Sequence, residues 1–315
     1  MQKDDIWTIY DNGYVNEYNE RFLFNPYCKV SADTELKILK SLISPSTRWL
    51  DVACGTGYFL SQFPGIQRAG MDLSPEMVKT SLVENPDALF IEQADFWDEH
   101  PEWNDAWTLV TCMWAPYVYL NSVNEAEVFA RNLANWTKTG GTLFLPIVDI
   151  EDLREFMTIP YDKSTDMFGG RIQITGVTWT WHEYNGKYHE HLISPHIEHF
   201  IKLLQPYFDK VEVVRYPPYK TGWVSRKSIL ATGKRMRKNS DQPGEVIWHK
   251  IPEEANILSK DSPYMAFRKA MFPISNKALI SELFFRVRSG YLFKAMAQKT
   301  YRKLFGKSNR SQTVA

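Results

Sequence analysis

Trp49-Leu-Asp-Val-Ala-Cys-Gly-Thr-Gly-Tyr-Phe59 is an apolar run that reaches an acid, passes through small residues and resumes with aromatic ones. It reads as a strand, a tight loop and the start of a helix. Gly55 and Gly57 can enter the left-handed backbone region and let a ligand approach the chain closely. The helix that follows turns its positive N-terminal end towards that ligand.

Outward from this stretch, strand and helix signals alternate. Upstream, residues 6–43 read as helical: Ala32, Leu36, Ile38, Leu39, Leu42 and Ile43 recur at nearly 3.6 residues, and Ser44-Pro45 ends the run. Downstream, Arg68–Asp72, Ala88–Ile91, Trp107–Met113 and Thr142–Val148 read as strands. Ser74-Pro75-Glu76 opens a helix with Ser as cap and Pro in the first turn. A further helix spans Asn124–Asn135, and Thr139-Gly140-Gly141 reads as a turn. Gly170–Glu183 and Lys187–Ile193 alternate around Asn185-Gly186, a strong hairpin signal. Pro195–Tyr207 reads as a helix, and Lys210–Arg215 and Ser228–Lys234 as the last strands. The expectation is an α/β fold, a doubly wound seven-stranded Rossmann-like sheet over residues 1–234. An antiparallel hairpin insertion (about 160–196) follows strand five, over the carboxyl edge where such sheets bind ligands. Residues 235–315 form a basic helical C-terminal extension, with Arg235–Gly244 as a linker.

The loop alone does not choose its ligand. A dinucleotide fingerprint wants a third glycine where Leu60 stands, and no Walker Gly-Lys-Ser/Thr is present. An acid after strand two, Asp72, is placed for both ribose hydroxyls. A second, Asp95, can accept from an adenine amino group while Phe96 packs on the ring. Ribose and adenine without a diphosphate point to S-adenosylmethionine (SAM).

DVACGTG, GMDLSPEM, EQADFWD and LVTCMW, in that order and spacing, resemble the motifs of class I SAM-dependent methyltransferases over roughly residues 6–234. Within the class the chain is most similar to TDP-aminosugar N,N-dimethyltransferases and, more distantly, to glycine N-methyltransferase. The resemblance implies that Asp51 and the loop Ala53, Cys54, Gly55 and Gly57 cradle the methionine part. It puts Asp72 and Leu73 on the ribose with Met77 nearby, Asp95 and Phe96 on the adenine, and Met113 along the cofactor. Tyr10 falls where a family tyrosine closes over the methyl. The family's histidine near the acceptor nitrogen is Tyr119 here, and a family acid at the end of strand five is Leu145.

Methyl transfer from a sulfonium is an in-line displacement whose demands are alignment and desolvation. A neutral amine needs no base, whereas a hydroxyl does. Tyr119, Asp149 and the histidines between His182 and His199 are the candidate bases, and the residues do not choose among them. His189 and His191 on one strand face, with His182 across the hairpin, also suit a metal. No Cys or well-spaced carboxylate completes that set, so no metal is expected. Trp179 and Trp181 read as packing, with a stacking wall for substrate as the alternative.

Composition narrows the partners. The chain is 44% hydrophobic with 14% aromatic residues, enough to build a core and line a cleft. Three scattered cysteines argue against a disulfide scaffold and fit a reducing cytoplasm. The start shows no apolar run behind a basic segment, so no signal peptide is expected. The zero formal charge is a sum of unlike parts: 21 basic and 31 acidic residues in 1–234, then 16 and 6 in 235–315. Residues 277–310 hold nine basic residues and one acid, Glu282, with apolar residues at helical spacing. Such a segment suits a partner or dimer surface, or the inner face of an anionic membrane; nucleic acid is disfavoured for want of a motif. The leading expectation is methyl transfer to an O or N atom of a small molecule or sugar. The alternatives are an RNA or protein methyltransferase gripping its acceptor with the basic segment, and a non-catalytic SAM-binding module.

Overall fold

The computed structural model describes residues 9–24, 26–150, 152, 170–175, 178–183, 187–216 and 227–250. The chain divides into two compact units, Met1–Ser259 and Lys260–Ala315. The second unit, with the basic segment 277–310, lies outside the described residues, as do Asn185-Gly186 and the first part of the expected insertion.

Helix α1 (Asn12–Tyr18) starts where the Asp11 carboxylate accepts from the Tyr14 amide at 2.9 Å. It runs on as a π-helical turn, Asn19–Leu23, before α2 (Pro26–Leu42). The α/β alternation then follows as read: β1 (Arg48–Val52), α3 (Tyr58–Ser61), β2 (Gln67–Asp72), α4 (Pro75–Glu84), β3 (Phe90–Gln93), β4 (Trp107–Thr111), α5 (Glu125–Trp136) and β5 (Thr137–Ile147). After β5 come β6 (Gly170–Thr175), β7 (Thr178–Glu183), β8 (Tyr188–Ile193), α6 (Ile197–Leu204), β9 (Phe208–Arg215), β10 (Lys227–Lys234) and β11 (Glu245–Trp248).

The main sheet has the order β11-β9-β10-β5-β4-β1-β2-β3. Strands β1 to β5 pair in parallel, and β10 is antiparallel to both β5 and β9. It has eight strands, which corrects the expected seven. The eighth, β11, comes from beyond residue 234 and pairs in parallel with β9 at the sheet edge. Four residues at an edge carry too little periodicity to be read as a strand. Gly244 permits the approach, since a Cβ there would lie 2.1 Å from the Phe208 carbonyl oxygen.

Strand β5 also begins earlier than expected. Gly140-Gly141 makes a bulge inside it rather than a turn before it, with a register shift against β4 and Gly140 at φ +79°. A Cβ on Gly141 would stand 2.7 Å from the Lys138 carbonyl oxygen.

Both sheet faces are covered, as parallel strands require. Trp49, Leu109 and Phe144 pack with Ala32 and Leu39 of α2 on one face. Leu50, Val110, Leu143 and Leu145 pack with Phe129 and Leu133 of α5 on the other. Each such side chain contributes about 1.5–3 kcal/mol by leaving water.

Strands β6, β7 and β8 form a separate three-stranded antiparallel sheet. Gly170–Glu183, read as one alternating run, is two strands. Its apolar phase changes from even numbers (Ile172, Ile174) to odd (Val177, Trp179, Trp181), and β6 and β7 lie on either side of that change.

Candidate active site

Beyond β1 the backbone takes an unusual path. Ala53, Gly55 and Gly57 have φ of +54°, +56° and +75°. A Cβ on Gly57 would stand 2.2 Å from Ser81 Oγ and 2.4 Å from Asn85 Nδ2, so this glycine lets α4 pack against the loop. A Cβ on Gly55 would meet nothing within 4 Å. Gly55 is therefore selected by backbone conformation and an open approach, Gly57 by tight packing.

The loop borders a cavity of about 280 Å³. Of the residues read from the sequence, Tyr10, Ala53, Cys54, Gly55, Asp72, Leu73, Met77, Asp95, Phe96, Met113 and Tyr119 line it. Asp51 and Gly57 do not; they lie beneath and behind the loop. Sequence reading missed Tyr18, Trp97 and Trp114 on the wall, because their placement depends on pairing of distant elements.

The Asp72 carboxylate organises the floor. It accepts from the Gly55 amide at 2.8 Å and from the Ser74 amide at 2.9 Å, tying the loop to the end of β2. Ser74 Oγ in turn caps α4 by accepting from the Met77 amide. Burial pushes the Asp72 carboxyl up to about 6 against the pull of these amides. Asp95 accepts from the Trp97 amide at 2.9 Å, and Asn132 Nδ2 donates to the Phe96 carbonyl at 3.0 Å, which holds this turn.

Asp51 is fully buried, and its Oδ1 accepts from Thr111 Oγ1 at 2.6 Å. Thr111 Oγ1 accepts from Trp49 Nε1 at 2.8 Å. Asp51 Oδ2 has no hydrogen-bond partner among the described residues. Burial raises this carboxyl to about 7, against the Thr111 hydroxyl.

Two tyrosines from separate elements complete the lining, with a histidine from a third behind them. Tyr10 precedes α1, and its carbonyl accepts from Ser74 Oγ at 3.2 Å. Tyr119 ends a 3₁₀ turn, Pro116–Tyr119, that follows two left-handed residues, Trp114 and Ala115. The Val148 amide donates to Tyr117 Oη at 2.7 Å and anchors that turn. The Tyr10 and Tyr119 hydroxyls are 2.8 Å apart, and Tyr119 Oη is 2.9 Å from His189 Nδ1 on β8. Burial, then Tyr119, holds the Tyr10 phenol well above its usual range. Lys187 Nζ reaches Asp11 Oδ2 at 2.9 Å, so the small sheet grips the segment that carries Tyr10.

The histidines separate. A register shift in β8 with His191 at φ +58° turns His191 to solvent while His189 is wholly buried. The two do not share a face, contrary to the sequence reading, because a bulge breaks the alternation. Trp181 stacks on His189, with ring centroids 4.5 Å apart, so it packs against the site's histidine. Asp149, His196 and Glu198 bring potential metal ligands within 4.8 Å of one another, but the Lys227 ammonium sits 2.9 Å from Asp149 Oδ2.

The residues fit SAM on structural grounds. The cofactor is cationic, and the orphaned Asp51 Oδ2 and the raised Asp72 carboxyl both gain from a cation. The open face of Gly55 leaves room for a ligand against the backbone.

Residues 50–145 match the family described as "Methyltransferase domain". No curated protein matches the chain. Among solved structures, the chain is similar to PH0226 from Pyrococcus horikoshii OT3, at 16% identity and TM-score 0.50 over 66% of this chain and 90% of that one. It is also similar to DesVI of Streptomyces venezuelae (18%, 0.49, 70% and 98%). A third is the sugar N-methyltransferase KedS8 of Streptoalloteichus sp ATCC 53650 (18%, 0.44, 64% and 86%). At these identities the likeness to PH0226 is one of fold. The loop and the acids after β2 and β3 fall within residues 50–145, the stretch that matches the methyltransferase domain, and they fit SAM as cofactor.

Proposed function

We propose that the chain transfers the methyl group of SAM to an oxygen or nitrogen atom of a small molecule or sugar. The observation that carries this reading is one cavity lined by the Ala53–Gly55 loop, Asp72 and Asp95 together with the Tyr10–Tyr119 hydroxyl pair. SAM, when bound, supplies an electrophilic methyl on a neutral leaving group. The chain's own residues do the rest. Asp72 and Leu73 hold the ribose, Asp95 and Phe96 the adenine, and the Ala53–Gly55 loop, backed by the buried charge of Asp51, the methionine part. Met113, Trp114 and the tyrosines exclude water from the transfer, where alignment and desolvation set the rate.

Isothermal titration of the full chain with SAM and S-adenosylhomocysteine tests the cofactor site. We expect binding, weakened at least tenfold by Asp72→Ala. A folded chain that binds neither ends this reading. Incubation of cell extract with methyl-labelled SAM, followed by mass analysis for a 14-unit shift, identifies the acceptor.

A further inference from the structure

We propose that the methyl acceptor is a hydroxyl group, and that its proton leaves the cavity along Tyr10, Tyr119 and His189. This rests on the methyltransferase reading above and names its substrate class. Three groups from three elements stand in hydrogen-bond contact: Tyr10 Oη to Tyr119 Oη at 2.8 Å, and Tyr119 Oη to His189 Nδ1 at 2.9 Å. Tyr10 and Tyr119 line the cavity, whereas His189 is fully buried behind them with its ring held flat against Trp181. The chain thus runs from the reaction space to an imidazole outside it.

Its sense follows from the donors. With Nδ1 as acceptor, Tyr119 donates to His189 and Tyr10 donates to Tyr119, and an oxygen lone pair of Tyr10 is left for the cavity. A substrate hydroxyl can donate to that lone pair. As the new C–O bond forms, the C–S bond breaks and its electron pair stays on sulfur. The hydroxyl proton passes to Tyr10, the Tyr10 proton to Tyr119, and the Tyr119 proton to Nδ1. One proton is gained by the imidazole, and the positive charge lost at sulfur reappears on His189. Burial keeps the Tyr10 phenol from holding charge itself, so the proton is passed on towards His189 Nδ1.

An amine has no use for this path. It attacks as the free base and sheds its proton to water afterwards, whereas a hydroxyl must lose its proton during the attack. The lining carboxylates are already engaged with backbone amides: Asp72 with Gly55 and Ser74, Asp95 with Trp97, Glu125 with Asn121. Asp72 and Asp95 are, besides, the acids assigned to the cofactor rather than to the acceptor.

Two measurements on the full chain test the proposal. In the first, methyl-¹³C SAM is incubated with cell extract, and the carbon shift of the product distinguishes O-methyl from N-methyl. We expect O-methyl. We also expect Tyr119→Phe, which deletes one oxygen, to lower turnover about 100-fold with SAM affinity unchanged and the chain still folded. The second measurement is ¹⁵N NMR of the histidine rings, with His189 assigned by His189→Gln. We expect an unprotonated Nδ1 whose resonance moves in Tyr119→Phe. An N-methyl product, label that never leaves a bound cofactor, full turnover in Tyr119→Phe, or a protonated Nδ1 would each overturn the relay. Absence of SAM binding would instead remove the methyltransferase reading beneath it.

Discussion

Gly55 and Gly57 stand two residues apart in one motif and answer to different constraints. Gly57→Ala drives a methyl into Ser81 and Asn85 at a left-handed position. We expect it to lower unfolding free energy by roughly 2–4 kcal/mol, read by denaturant titration. Gly55→Ala adds only the backbone strain, about 1 kcal/mol; its main effect should appear as weakened SAM binding by calorimetry. Asp51 makes a separate prediction. Its carboxyl titrates near 7 in the fold against an ordinary 3.8. Between those values the folded chain keeps a proton that the unfolded chain has released, so stability falls as pH rises through this window and stays low above it. Asp51→Asn, which still accepts from Thr111, should therefore stabilise the cofactor-free chain at pH 8, by at most about 4 kcal/mol, and leave it unchanged at pH 3. An equal gain at both pH values would refute the burial argument. The glycines, Asp51, Asp72 and Asp95 were legible in the sequence because their spacing is local to a strand end. His189 was one of five neighbouring histidines, and only its contact with Tyr119 singles it out.

The N-terminal segment and the small sheet act as a coupled pair. Lys187, just before β8, binds Asp11 and lies 4.6 Å from the Tyr14 ring centroid. This ion pair is largely exposed, with side-chain exposures of 26% and 54%, so it adds little to global stability. Lys187→Met should shift the unfolding free energy by less than about 1 kcal/mol yet speed amide exchange across α1, read by hydrogen–deuterium exchange. Unchanged exchange would show that the Lys187–Asp11 pair does not hold this segment. The bulge in β8 belongs to the same scale: a periodic reading assumes unbroken alternation, and one extra residue sends His191 outward and His189 inward.

At the scale of the whole molecule, the charge break near residue 234 and the end of the sheet do not coincide, because β11 at Glu245–Trp248 still belongs to the sheet. The compact unit extends to Ser259, so a truncation that tests the basic segment belongs after 259. No helix among the described residues is long and apolar enough to cross a membrane. We propose that residues 277–310 dock on a partner, with contact to an anionic membrane surface as the competing reading. Co-sedimentation with phosphatidylglycerol vesicles should pellet the full chain and the 1–259 chain equally; pelleting of the full chain alone would favour the membrane. The parallel strands, their helices and the ligand loop were determined by sequence alone, since hydrophobic period, caps and glycines act over a few residues. The eighth strand, the bulges in β5 and β8, and the Tyr10–Tyr119–His189 contact were decided only by tertiary structure. Each joins residues far apart in the chain, and no local pattern encodes which distant partner will satisfy a strand edge or a buried hydroxyl.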